Sequence, residues 1–144
     1  MGRNKGGFIM EYTGKVIGTP VSKSNAYRII TINGHSSLTK TSAMHKYEEA
    51  FLWQVGAIRD ANIGVPFEFY LDVYFPSKRS DLDGCLKGIL DCLQKAKVIK
   101  NDNNCCLIHA RKFVDKENPR IEFKLVTIEL YIQLFGIVNY LTLK

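Results

Sequence analysis

The run Phe67-Glu68-Phe69-Tyr70-Leu71-Asp72-Val73-Tyr74-Phe75 constrains the fold of this chain more than any other segment. Phe67, Phe69, Leu71, Val73 and Phe75 recur with period two, so an extended strand carries all five on one face, and Pro76 ends it. Gly64-Val65-Pro66 breaks the chain just before it. Such a face has to be covered by other apolar elements, and the neighbouring segments supply them.

Upstream, Met44, Tyr47, Phe51, Val55 and Ile58 recur at helical spacing, predicting a long helix over residues 42–61 capped by Thr39 or Thr41. Downstream, Leu82, Leu86, Ile89, Leu93 and Ala96 form the stripe of a second helix, with Asp81 or Asp83 as its cap. Residues 15–18 and 27–32 carry β-branched runs on either side of the turn cluster 20–25, predicting two short strands, with residues 33–37 as a loop. Residues 105–114 and 120–130 look like a hairpin around Lys116-Glu117-Asn118-Pro119. Tyr27, Tyr47 and Trp53 read as core residues rather than stacking platforms.

The order β-β-α-β-α-β-β implies a small single α+β (α/β) domain, a mixed β-sheet with helices packed on it, because each helix has one apolar face to bury. At 144 residues the chain suffices for one core without staples. The domain is expected over residues 10–130, with residues 1–9 a flexible leader and residues 131–144 an extension of unassigned role. The apolar stretch from Val126 to Leu143 is interrupted by Glu129, Gln133, Gly136 and Asn139, and so reads as strand plus extension rather than a membrane span. Cys85, Cys92, Cys105 and Cys106 show no C-x-x-C spacing and read as reduced thiols of a cytoplasmic protein. A zinc site from Cys105, Cys106 and His109 is disfavoured, since adjacent cysteines do not easily reach one tetrahedral ion.

Lys and Arg outnumber Asp and Glu 20 to 14, a formal charge of +6, which suits an anionic partner such as nucleic acid. Against that background Asp81, Asp83, Lys87, Asp91 and Asp102 stand out. Carboxylates are hard ligands suited to Mg²⁺, which takes one or two of them, keeps several waters and accepts phosphate oxygens. Residues i and i+2 of an extended segment point the same way, so Asp81 and Asp83 would converge if the backbone stays extended there. Each residue also has an ordinary explanation: Asp81 as an N-cap, Asp83 as a first-turn acid, Asp83, Lys87 and Asp91 as an i,i+4 ladder, Asp102 as a turn residue.

The joint pattern shifts the balance between these readings. Asp81-Leu82-Asp83-x-x-x-Lys87-x-x-x-Asp91-x-Leu93, then Lys97-Val98-Ile99 and Asp102, resembles the RusA family of Holliday-junction resolvases, whose core reads D-x-D-N-x-x-K-x-x-x-D-x-L followed by a closing acidic pair. Pro20-x-Ser22-Lys23-Ser24-Asn25-x-Tyr27-Arg28 and the helix containing Tyr47 also resemble family elements, and the likeness covers roughly residues 15–130. It implies a homodimeric endonuclease, dependent on Mg²⁺ with Mn²⁺ as a substitute, that resolves four-way junction DNA by paired nicks. No membrane and no small-molecule cofactor are expected; enzymes of this kind are typical of phages and prophages. Carried over by position, Asp81, Asp83 and Asp102 match the metal-binding catalytic acids, Lys87 the catalytic lysine, and Asp91 an accessory acid. Lys23, Arg28, Lys40, Lys78, Arg79, Arg111 and Lys112 are the expected DNA contacts. Gly84 stands where the family usually has Asn, and Asn101 replaces the first acid of the closing pair. Those departures leave one alternative, a RusA-like DNA-binding or assembly protein without chemistry.

Overall fold

The computed structural model describes residues 2–3 and 9–128. In chain order these form β1 (Gly2–Arg3), β2 (Ile9–Ile17), α1 (Lys23–Ala26), β3 (Tyr27–Ile32), β4 (His35–Lys40), α2 (Ser42–Gln54), β5 (Phe67–Phe75), α3 (Leu86–Lys95), β6 (Cys105–Val114) and β7 (Arg120–Ile128). Short 3₁₀ turns occupy Gly56–Ile58, Asp83–Cys85 and Asp102–Asn104. The architecture is the expected α+β one: a mixed sheet in the order β1-β2-β7-β5-β6, with β3 and β4 as a separate antiparallel pair.

β5 has the expected bounds, and Phe67, Phe69, Leu71, Val73 and Phe75 are all buried. They meet Val16 from β2 and Ile121, Phe123 and Leu125 from β7 in one core with Met44, Tyr47 and Phe51 of α2 and Ile89, Cys92 and Leu93 of α3. Burying each large side chain contributes about 1.5–3 kcal/mol, so this layer provides most of the drive to fold. Phe123 lies flat against Phe51, ring centres 6.0 Å apart. Its ring also crosses the backbone of β2 at Gly14, where an added Cβ would come within 2.3 Å of it.

β6 and β7 do not form the expected hairpin. β5 lies between them, parallel to β6 and antiparallel to β7. The most apolar strand takes an interior position, and residues 115–119 cross its end, with the Asp115 N–H donating to the Phe75 carbonyl at 2.8 Å. α2 also ends earlier than expected, at Gln54, because Gly56 adopts φ +71 and turns the chain out of the helix. The expected loop at 33–37 is instead the start of a hairpin. Asn33 and Gly34 both have positive φ, 52° and 77°, as a two-residue hairpin turn requires, and β4 follows at once. Trp53, expected in the core, is 79% exposed on the outer side of α2, whereas Tyr47 is buried.

Of the expected leader, Gly2–Arg3 pairs with Met10 and Glu11, and Ile9 opens β2. Residues 4–8 and the extension 131–144 lie outside the described residues. No helix among the described residues is long and apolar enough to cross a membrane.

Candidate active site in the groove beside the central strand

The interior position of β5 sends its C-terminal loop out from the middle of the sheet, directly towards α3. Pro76 ends the strand, residues 77–80 form the loop, and Asp81 and Asp83 lead into α3 through a 3₁₀ turn. An open groove runs here between the α1–β3 segment and the start of α3. Its walls include Asp81, Asp83, Lys87 and Asp102 together with Lys23, Arg28 and Arg79.

Neither aspartate caps a helix. The N-cap of α3 is Cys85, that of the preceding turn is Leu82, and neither position has a side-chain cap bond. Among the described residues the carboxylates of Asp81 and Asp83 accept no hydrogen bond and make no ion pair. The ordinary explanation therefore fails for Asp81 as a cap, whereas Asp83 does stand in the first turn of the 3₁₀ segment that leads into α3. The extended-backbone geometry fails too, because Leu82 sits at φ −62, ψ −46, already helical, so the two side chains do not share a side by the strand rule.

Asp102 enters the groove from its other end. Its backbone N–H donates to Gln94 Oε1 at 3.1 Å, next to the C-terminus of α3, whereas Asp83 precedes the N-terminus of that helix. The body of α3 thus lies between the backbone of Asp102 and the turn that carries Asp83. Consistently, no three His, Cys, Asp or Glu side chains among the described residues converge closely enough to hold an ion. The acids share one groove without forming a ready-made cage. Asn101, where the closing acidic pair would begin, caps the 3₁₀ turn instead, its Oδ1 accepting from the Asn103 N–H at 2.9 Å. At Gly84 an added Cβ would make only ordinary contacts, 3.8 Å from Ser22 and 4.0 Å from Asp81, so the missing side chain there reflects no steric need.

Lys87 and Asp91 do pair, Nζ to Oδ2 at 3.6 Å, but the ladder does not extend to Asp83 among the described residues. Asp91 is held from the other side by the Tyr27 hydroxyl, which donates to the same Oδ2. Lys87 Nζ lies 5.3 Å from the centre of the Tyr27 ring. Burial and the Asp91 carboxylate push the Tyr27 hydroxyl well above its usual range, so it stays a donor at any working pH. Tyr27 thus braces Asp91, and Asp91 steadies Lys87 at the groove wall. Tyr27 does pack against the core, as the sequence predicts, while its hydroxyl reaches Asp91.

The remaining basic residues divide. Lys23, Arg28 and Arg79 line the groove, and Lys78 stands in the loop beside Arg79. Lys40 pairs with buried Glu48 at 2.9 Å. Arg111 holds Asp72 with two bonds of 2.8 and 2.9 Å on the sheet face away from the helices. Lys112 donates to the carbonyls of Lys78, at 2.9 Å, and Ser80. Cys105 and Cys106 donate to backbone carbonyls and join no metal cluster among the described residues.

The Endodeoxyribonuclease RusA family matches residues 18–126. The chain is also 31% identical over 111 residues to the "Crossover junction endodeoxyribonuclease RusA" of Aquifex aeolicus (strain VF5), covering 74% of this chain and 83% of that protein. The chain therefore belongs to the RusA family of crossover junction endodeoxyribonucleases.

Proposed function

We propose that this protein resolves four-way DNA junctions in the cytoplasm as a homodimer, each subunit nicking one strand with the help of Mg²⁺. The observation that carries the reading is the groove holding Asp81, Asp83 and Lys87, carboxylates without a structural partner beside cations without a matching excess of acids. Nucleases of this family are generally metal-dependent.

The donor chemistry fits a hard divalent ion. Asp81 and Asp83 would hold it, since Mg²⁺ needs only one or two protein carboxylates and completes its shell with water and phosphate oxygens. Asp102 is the third acid of the groove, and substitution measures its share in catalysis. When bound, the ion acidifies a water and offsets charge on the phosphate. Lys87, steadied by Asp91, faces the same phosphate and stabilises the charge that builds on it as the 3′ oxygen leaves. Lys23, Arg28 and Arg79 hold the flanking backbone, giving binding that weakens steeply with salt. Paired symmetric nicks need two such grooves related by a two-fold axis, which an isologous dimer supplies.

A synthetic mobile four-way junction tests this directly. Symmetric nicks with 5′-phosphate and 3′-hydroxyl ends are expected in Mg²⁺ or Mn²⁺, and binding without cutting in Ca²⁺ or chelator. Robust cutting in excess chelator refutes the metal reading, and junction binding that never leads to nicks in any metal leaves a binding protein.

A further inference from the structure

The loop that carries Asp81 is held by a side chain from a different part of the sheet. β6 lies parallel to β5 with Val73 opposite Lys112 and Phe75 opposite Val114. Lys112 therefore stands beside the last turn of β5, its ammonium 5.7 Å from the centre of the Phe75 ring. From there it donates to two carbonyls, that of Lys78 at 2.9 Å and that of Ser80. Neither carbonyl accepts another backbone hydrogen bond among the described residues. One point charge thus gathers two peptide dipoles on either side of Arg79, immediately before Asp81. Bonds from a charged donor are about twice as strong as neutral ones, and two converging on one atom fix the path of a short loop.

We infer that Lys112 is a positioning residue, a clamp that sets the loop carrying Arg79 and Asp81, and not a contact to DNA phosphate. An ammonium has three donors, and two of them already point into the protein. The inference rests on the proposed function for what the loop does, but the clamp itself is independent of metal and DNA.

Lys112 is exposed, so Lys112→Met removes the charge without opening the core. Lys78 and Arg79 are themselves trypsin sites and report on their own loop. Under native conditions, Lys112→Met should be cut there several-fold faster than the unsubstituted protein. On junctions, its single-turnover rate at saturating Mg²⁺ should fall about tenfold or more, because small displacements of reacting groups are costly. Junction affinity in Ca²⁺, and the slope of log affinity against log salt, should not change. Lys112→Arg, which keeps donors in reach of both carbonyls, should recover the rate to within about threefold, and Lys112→Gln carries the same readouts if Lys112→Met does not fold.

Unchanged trypsin cleavage overturns the clamp. A salt slope shallower by about one, with weaker binding, makes Lys112 a phosphate contact. A lower melting temperature with rate and affinity intact makes it merely structural. If the unsubstituted protein cuts no junction, the functional reading fails, while the trypsin comparison still decides the clamp.

Discussion

Lys87→Ala separates chemistry from packing with one substitution. The lost interactions are a 3.6 Å pair with Asp91, whose partners are 47% and 20% exposed, and a 5.3 Å approach to the Tyr27 ring. An exposed i,i+4 pair is worth about 0.3–0.5 kcal/mol, and an exposed cation–π contact about 0.5. Asp91 keeps its bond from the Tyr27 hydroxyl, so no bare charge is left behind. The total is about 1 kcal/mol or less, a melting shift of about 2–4 °C for a domain of this size. Loss of one charge-stabilising group in the transition state costs about 2.7 kcal/mol or more, a rate drop of at least about a hundredfold. Single-turnover cutting of a mobile junction at saturating Mg²⁺, with melting curves and Ca²⁺-phase junction affinity alongside, reads both quantities. A rate within threefold of the unsubstituted protein, or one that falls only in proportion to affinity, refutes the catalytic role and leaves Lys87 as helix surface.

If Asp102 acts with Asp81 and Asp83 across the groove, as the family correspondence implies, Asp102→Asn should abolish nicking while the melting temperature stays within about 2 °C, because the turn is held by Asn101 Oδ1 and Gln94 Oε1 rather than by the Asp102 carboxylate. Cutting near the original rate removes Asp102 from the site. Gly14→Val should destabilise by about 1–3 kcal/mol, measured by urea unfolding, since its side chain would collide with the Phe123 ring; an unchanged midpoint refutes that packing. At pH 8 a thiol-alkylating reagent should reach Cys106 first and leave Cys85 and Cys92 untouched until the protein unfolds. Burial pushes those two thiols up to about 11 and about 12, so almost no thiolate is present to react, and labelling of either at the rate of Cys106 contradicts the fold.

β5 was legible because nothing competes with strict period-two alternation between two prolines, and the stripe of α2 was legible down to Ile58. The end of α2 was not, since periodicity continues through Val55 and Ile58 while Gly56 reverses the backbone. β4 hid in a polar, serine-rich stretch whose only marker is the Asn33-Gly34 turn. The placing of β5 between β6 and β7 is a long-range choice, decided by which strand buries most, and adjacency in sequence points the wrong way. In the site, spacing identified the acids and Lys87 but misjudged the backbone at Leu82 and could not foresee that Asn101 and Gln94 hold Asp102 at the far end of α3. The Tyr27 brace joins residues far apart in the chain, and no local pattern announces it.

The strand order also sets a timetable. Among the described residues β2 pairs only with β1 and β7, and its register joins Ile9 to Ile128 and Ile17 to Arg120, contacts on the order of a hundred residues apart. β5 likewise waits for both of its partners, which follow it in the chain. A ribosome must therefore finish nearly the whole domain before the sheet can close, and until β6 emerges the five apolar residues of β5 have no strand beside them. The groove is born late and all at once, so a chain interrupted anywhere before β7 should yield an insoluble fragment rather than a nuclease that cuts without control.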